Sequence, residues 1–377
     1  MLSLFVSYSG RLGGGERLLL DCAAALEGER IVACPEGPLA DRALSAGLRV
    51  VPLREHPLQL RGSPRAGAAA ALRLGAHAHE ARRLVRDLSP DLLIAWGMRS
   101  AIALGAWPLG GERPPRTVFQ HNDLLPGPAV GRLVRAAAAR FDRVVALSAA
   151  VAHDLDPTGA LGERLLVCHP GVDLRRFSAL PPPDGSGQAL VLGAIVDWKR
   201  PDLALEATAI AARELPGLRL RLAGAPLDEA GEELLRRLRD RAEQPDLSGR
   251  VELSGPADAA QALRGASCLL HCADSEPFGL VVLEALASAR PVIAPAAGGP
   301  AELLDDEVGR LYPPGDAQAA AARLVEVLGD PDLASRLGQE GRRRAEARYG
   351  LESAGERWRE AVAPPVRINR ARRRPLG

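Results

Sequence analysis

A chain of 377 residues is too long for one ordinary hydrophobic core, so two domains of Rossmann-like size are expected. Its 48 Lys and Arg balance 47 Asp and Glu to a net charge of +1, and only 3% of residues are aromatic, which argues against a polyanion-binding field and against base-stacking platforms. Five cysteines (Cys22, Cys34, Cys168, Cys268 and Cys272) show no CxxC spacing, so they read as small buried hydrophobes of a reducing compartment and zinc is not expected.

In chain order, the first residues have no basic lead and too short an apolar run for a signal peptide, and read as a strand over 2–7. Further strands are expected at 30–34, 92–96, 117–120, 143–147 and 165–168, alternating with amphipathic helices as in parallel α/β layers. Gly13-Gly14-Gly15 follows the first strand and precedes a helix expected near Glu16, a place for either a tight turn or a phosphate-binding loop. The stretch 54–79, rich in Ala, Arg and Gly, is the least regular. No run reaches membrane-spanning length, because Arg99 interrupts the most apolar candidate at 92–107. Asp154-Leu155-Asp156 reads as a helix end before Pro157 rather than a metal site.

The Pro- and Gly-rich segment 179–188 has linker composition. Beyond it a second series of strands is expected at 190–194, 218–223, 251–254, 268–272, 291–294 and 309–312, with helices at 316–329, 332–348 and 351–363. The boundaries are therefore 1–178 for an N-terminal domain, 179–188 for a linker, 189–348 for a C-terminal domain, 349–363 for a helix packing back on the first domain, and 364–377 for a basic tail. That tail reads as solvated, with weak contact to an anionic membrane surface as the alternative.

Two features carry chemistry. The first is the run from Ser275 to Ala287, where an apolar strand ends, Glu276 falls on the loop, Pro277 suits a first helical position and Glu284 lies a turn or two into the helix. Both carboxylates then line the crevice at the carboxyl ends of parallel strands, where open α/β sheets bind ligands. The second is Lys199, the one lysine beside 47 arginines. It stands just after a strand and before a helix opened by Pro201, where a compact ammonium suits a diphosphate better than a planar fork, or else it is a chance survivor on a solvated loop.

These residues, with Pro291-Val292-Ile293-Ala294, Gly298-Gly299-Pro300-Ala301-Glu302, His121 and His169-Pro170-Gly171-Val172-Asp173, make the chain resemble the retaining glycosyltransferases of family 4. The resemblance implies the GT-B fold, an α/β architecture of two Rossmann-like domains with parallel sheets facing across a cleft. It likens Glu284 to the glutamate that binds the ribose hydroxyls, and Glu276 to the residue beside the donor sugar. By the same resemblance the amides around Phe278, Gly279 and Leu280 are expected to bind sugar or phosphate oxygen, Lys199 the diphosphate, Gly14 is similar to the glycine that admits the donor phosphate, and His121 to the histidine near the transferred sugar. His169 is read as a support for its turn, and Glu302 as part of the family motif, with a cap on a helix beginning near Pro300 as the alternative.

The implied reaction moves a hexose-type or N-acetylhexosaminyl sugar from a nucleoside diphosphate to an acceptor hydroxyl with retention, without metal or cofactor and without nucleic acid. The acceptor is a glycan, a lipid-linked molecule or a small molecule, and the place of action is the cytoplasm, at or away from the inner membrane face. One departure stands out: where the family has Gly-Arg, this chain has Gly193-Ala194. Arg200 either replaces the missing guanidinium or points to solvent, so a nucleotide-sugar-binding pseudoenzyme or scaffold is the alternative. An NAD-dependent oxidoreductase fails because Gly10 to Gly15 lacks the GxGxxG spacing, and a pyridoxal-phosphate phosphorylase lacks a second lysine.

Overall fold

A computed structural model describes residues 1–55, 64–105, 115–181 and 187–363 of the chain, with side chains described from residue 72 in the second of these segments. Half of the expected linker (182–186), the basic tail (364–377) and part of the irregular stretch (56–63) lie outside the described residues.

The first half alternates β1 (Leu2–Ser7), α1 (Gly14–Ala24), β2 (Glu29–Pro35), α2 (Pro38–Ser45), β3 (Arg49–Leu53), α3 (Pro64–Leu88), β4 (Leu92–Trp96), α4 (Gly97–Gly105), β5 (Arg116–His121), α5 (Pro128–Ala138), β6 (Arg143–Ala146), α6 (Ala149–Leu155) and β7 (Leu165–Val167). Its strands form one parallel sheet in the order β3-β2-β1-β4-β5-β6-β7. β4 is buried at every residue, as a strand covered by helices on both faces must be. The sequence pattern missed β3, which carries Pro52; the sheet tolerates that proline because β3 is an edge strand. It also missed the first part of α3, which lies in the stretch called irregular, where the alanine content favours helix; only the helical stretch near Arg82-Arg83 was expected.

The second half runs β8 (Gln188–Leu192), α7 (Pro201–Ala211), β9 (Arg219–Ala223), α8 (Glu229–Ala242), β10 (Val251–Gly255), α9 (Ala259–Arg264), β11 (Cys268–Leu270), α10 (Leu280–Ala287), β12 (Val292–Pro295), α11 (Pro300–Leu303), β13 (Gly309–Tyr312), α12 (Ala317–Gly329), α13 (Pro331–Arg348) and α14 (Leu351–Val362). These strands are also all parallel, in the order β10-β9-β8-β11-β12-β13. Both sheets are doubly wound, and each reverses its strand order beside its first strand, β1 or β8. The architecture is GT-B, two Rossmann-like domains.

After α13 the chain returns to the first half. Val172 N–H donates to the Tyr349 carbonyl (2.8 Å), and Leu351 N–H donates to the Val172 carbonyl (3.1 Å). α14 then packs on α1 and β6, with Trp358 stacked on Phe5 at 6.0 Å and its Nε1 donating to Gln120 Oε1 at 2.7 Å. One apolar cluster consequently runs from Phe5 through Phe278 to Leu269, joining the two sheets. Cys22, Cys34, Cys268 and Cys272 are buried free thiols, and Cys168 is half-buried. Among the described residues no helix is long and apolar enough to cross a membrane.

Candidate active site

The second sheet builds one wall of the cleft at its switch point. β11 ends in the buried run His271-Cys272-Ala273, and the chain turns through Glu276 to Gly279 before α10 begins. Gly279 caps that helix in the left-handed region (φ 95°), so α10 starts at Leu280. This corrects the expectation that Pro277 opens the helix: the left-handed turn postpones the first helical residue, leaving Pro277 in the loop. The turn Gly298-Gly299 lies directly behind. A side chain at Gly299 would put its Cβ 2.1 Å from the Phe278 Cα, and the Gly299 N–H donates to the Glu276 carbonyl at 2.8 Å.

Lys199 ends a short 3-10 turn (Asp197–Lys199) after β8. Its Nζ lies 2.9 Å from Glu276 Oε2 and 4.6 Å from the centre of the Trp198 ring. His271 Nε2 stands 3.5 Å from the same carboxylate oxygen, long for a hydrogen bond. Burial opposes ionisation of Glu276, yet His271 and the Lys199 ammonium outweigh it and hold its carboxyl down to about 2. The structure therefore joins the lone lysine and the loop glutamate in one largely buried ion pair.

Arg200 is engaged by two carboxylates near its own loop. It sits in the left-handed region (φ 50°), and its guanidinium bonds Asp202 and Asp274, at 3.0 Å and 3.1 Å. A guanidinium held by two carboxylates is not a free replacement for the arginine absent at Ala194.

Glu284 is the fifth residue of α10, and no hydrogen-bond partner is found for its carboxylate among the described residues. Burial pushes its carboxyl up to about 7; Arg17 and Arg176 pull the other way, and Asp258 adds to the rise. Arg176 itself pairs with Asp258 at 2.7 Å.

The first sheet supplies the opposite wall. α1 begins at Gly14, two residues earlier than expected, and a Cβ on Gly14 would come within 2.9 Å of Leu280 Cδ1 in the other domain. Trp96 Nε1 donates to the Gly15 carbonyl (3.0 Å), fixing this glycine turn from beneath. His121 ends β5 fully buried, its ring 5.1 Å from that of Phe119, and neither ring nitrogen has a hydrogen-bond partner among the described residues. Burial lowers its pKa to about 3, so the imidazole is neutral.

Asp123, which the sequence reading passed over, is solvent-accessible yet closely ringed by protein, as a cleft-lining group is. Burial raises its pKa, Glu16 adds to the rise, Arg99 opposes it, and Glu276 of the other domain raises it further. Arg99 also lies 5.4 Å over the Tyr8 ring. The aspartates of Asp154-Leu155-Asp156 are engaged at the end of α6: Asp154 accepts from the Leu125 N–H (2.6 Å), and Asp156 accepts from those of Ala160 and Leu161.

Glu302 requires a larger correction. It caps no helix of its own domain; its carboxylate crosses to α6 of the first domain and accepts from Ala149 N–H (2.9 Å) and Ala150 N–H (2.8 Å). His169 Nε2 lies 3.0 Å from the same carboxylate, so this histidine, expected to support its own turn, joins an interdomain contact. Only the Ser-Ala-Ala helix start at 148–150, whose first-turn amides have no partner within the helix, hinted at an acceptor arriving from elsewhere.

Residues 12–176 match the family described as Glycosyltransferase Family 4, and residues 175–344 match Glycosyl transferases group 1. A D-inositol 3-phosphate glycosyltransferase of Streptomyces coelicolor is 32% identical over 269 residues, 62% of this chain and 58% of that protein. One of the same name from Saccharomonospora viridis is 35% identical over 214 residues, 52% of this chain and 49% of the relative. The matches thus span about half the length of these curated relatives. In fold, the chain is similar to Anabaena HepE crystallised with UDP-glucose (TM-score 0.82, 21% identity, 96% of this chain and 99% of that one). It is also similar to sucrose-phosphate synthase of Thermosynechococcus elongatus (TM-score 0.78, 21% identity, 96% and 98%). With the two profiles lying end to end over both switch-point loops, the chain belongs to the family 4, group 1 glycosyltransferases.

Proposed function

We propose that the protein is a retaining glycosyltransferase that moves a hexose-type sugar from a nucleoside diphosphate to an acceptor hydroxyl, with the donor on residues 189–348 and the acceptor on residues 1–178. What supports this reading is the Lys199–Glu276 pair at one switch point, with Gly14 of the other close to Leu280 and Asp123 within the electrostatic reach of Glu276. The Glu284 carboxylate, for which no hydrogen-bond partner is found among the described residues, is suited to a ribose diol. Lys199 and the amides of Phe278, Gly279 and Leu280 take the diphosphate, so leaving-group charge is met by fixed protein dipoles and one ammonium rather than by a metal. Glu276 and the neutral His121 face the sugar. Among the described residues neither nitrogen of the buried His121 imidazole has a hydrogen-bond partner, which is costly, and a sugar hydroxyl would satisfy one of them.

The protein's work in this reaction is to orient donor and acceptor, exclude water and stabilise the departing phosphate. HepE's UDP-glucose complex supports a uridine donor. The activity named for the curated relatives supports a phosphorylated polyol acceptor, with Arg99 as a cation on the acceptor side. The loss of arginine at 194, uncompensated by Arg200, favours a second reading in which the chain binds nucleotide sugar without transferring it.

Calorimetry with UDP and GDP, followed by assays of donor turnover on wild type and Glu276→Ala, separates the two. Transfer predicts tight diphosphate binding in both proteins and a loss of turnover confined to the variant. Binding in wild type without turnover of any donor would refute the transferase reading.

A further inference from the structure

The donor loop is held from behind by the other domain. Ser148, at the start of α6, donates its hydroxyl to the Pro277 carbonyl at 2.6 Å, a contact between residues 129 apart in sequence. The same oxygen accepts from Val151 N–H (3.1 Å), so the serine caps its helix and grips the loop together. On the next residues the two carboxylate oxygens of Glu302 take the Ala149 and Ala150 amides, and the His169 ring stacks on Phe278 at 5.6 Å. Burial disfavours ionisation of Glu302, but His169 and the two backbone amides outweigh it, so the brace is a carboxylate.

A trans peptide is planar, with its C=O and N–H pointing in opposite directions. Anchoring the Pro277 carbonyl toward α6 therefore aims the Phe278 N–H away from the first domain's helix. That amide is one of those assigned above to the donor's sugar or phosphate oxygen. We infer that Ser148 is a positioning residue for the donor loop, and that Glu302 is the brace fixing the end of α6 from which Ser148 acts. The first domain thereby sets an amide of the second domain's donor site, apart from any contact it makes with the acceptor. This inference rests on the transferase reading only where turnover is the measure.

The test compares wild type with Ser148→Ala, Ser148→Thr and Glu302→Gln. Hydrogen exchange of the peptide covering 276–283 should quicken about tenfold or more in Ser148→Ala, as expected when one anchoring hydrogen bond is lost. Ser148→Thr, which keeps hydroxyl and cap, should restore wild-type exchange. Glu302→Gln, which keeps one acceptor oxygen instead of two, should fall between. In turnover, Ser148→Ala should lose about tenfold in kcat while the donor KM stays within about twofold, because the amide serves the reacting state.

Wild-type exchange in Ser148→Ala would overturn the inference. So would equal loss in Ser148→Ala and Ser148→Thr, or a lowered melting temperature with an unchanged loop. If wild type turns over no donor, the transferase reading fails while the exchange measurements still decide this one.

Discussion

Replacing Glu284 by glutamine should make the protein more stable and a poorer nucleotide binder, with both effects governed by pH. The folded carboxyl stands near 7 against an ordinary value of 4.5, because burial disfavours its charge. A group whose pKa is raised on folding contributes stability below its unfolded pKa and loses it as pH rises through the folded one. Linkage puts the cost of the ionised side chain at about 3 kcal/mol at pH 8, shrinking to about 1 kcal/mol at pH 5. Glu284→Gln removes that cost. Its melting temperature at pH 8 should rise by roughly 5 °C or more, at about 2–4 °C per kcal/mol for a domain of this size, and the difference should mostly vanish at pH 5.

Binding should move the other way. If only the carboxylate accepts the ribose hydroxyls, wild-type affinity for a nucleoside diphosphate falls by about tenfold from pH 8 to pH 6 through this group. The ligand's own phosphate titrates in both proteins, so the ratio of wild-type to variant affinity is the quantity to follow by calorimetry. A pH-independent ratio, or an unchanged melting temperature at pH 8, would refute the placement of a strained carboxylate at the ribose.

Lys199→Arg should impair diphosphate binding and transfer nearly as much as Lys199→Ala, because the ammonium lies between the Trp198 ring and Glu276 in a space shaped for a point charge; undiminished transfer by the arginine variant would contradict this. Gly299→Ala should destabilise the protein by about 1–3 kcal/mol in urea titrations and weaken nucleotide binding, since its Cβ would meet the Phe278 backbone at 2.1 Å and no rotamer relieves that contact. Unaltered stability there would mean the turn behind the donor loop is free to move.

Much of the fold was legible because its signals are local. Buried parallel strands read as short apolar runs, and α12, α13 and α14 announced themselves by apolar spacing. The loops holding Gly14, Lys199 and Glu276 were found because strand-loop-helix punctuation is written in adjacent residues. β3 escaped because Pro52 argues against a strand unless the edge position is known, and only strand order reveals an edge.

The sequence by itself determined the layered α/β architecture, its two sheets and the loops on which a site is built, since periodicity and turn chemistry are properties of neighbouring residues. Tertiary structure decided the partners. It paired Lys199 with Glu276, spent Arg200 on Asp202 and Asp274, brought Asp123 within the field of Glu276, and sent Glu302 to amides 152 and 153 residues away. A charged side chain's partner is set by which strand ends the sheet order brings together, and no local pattern encodes that meeting.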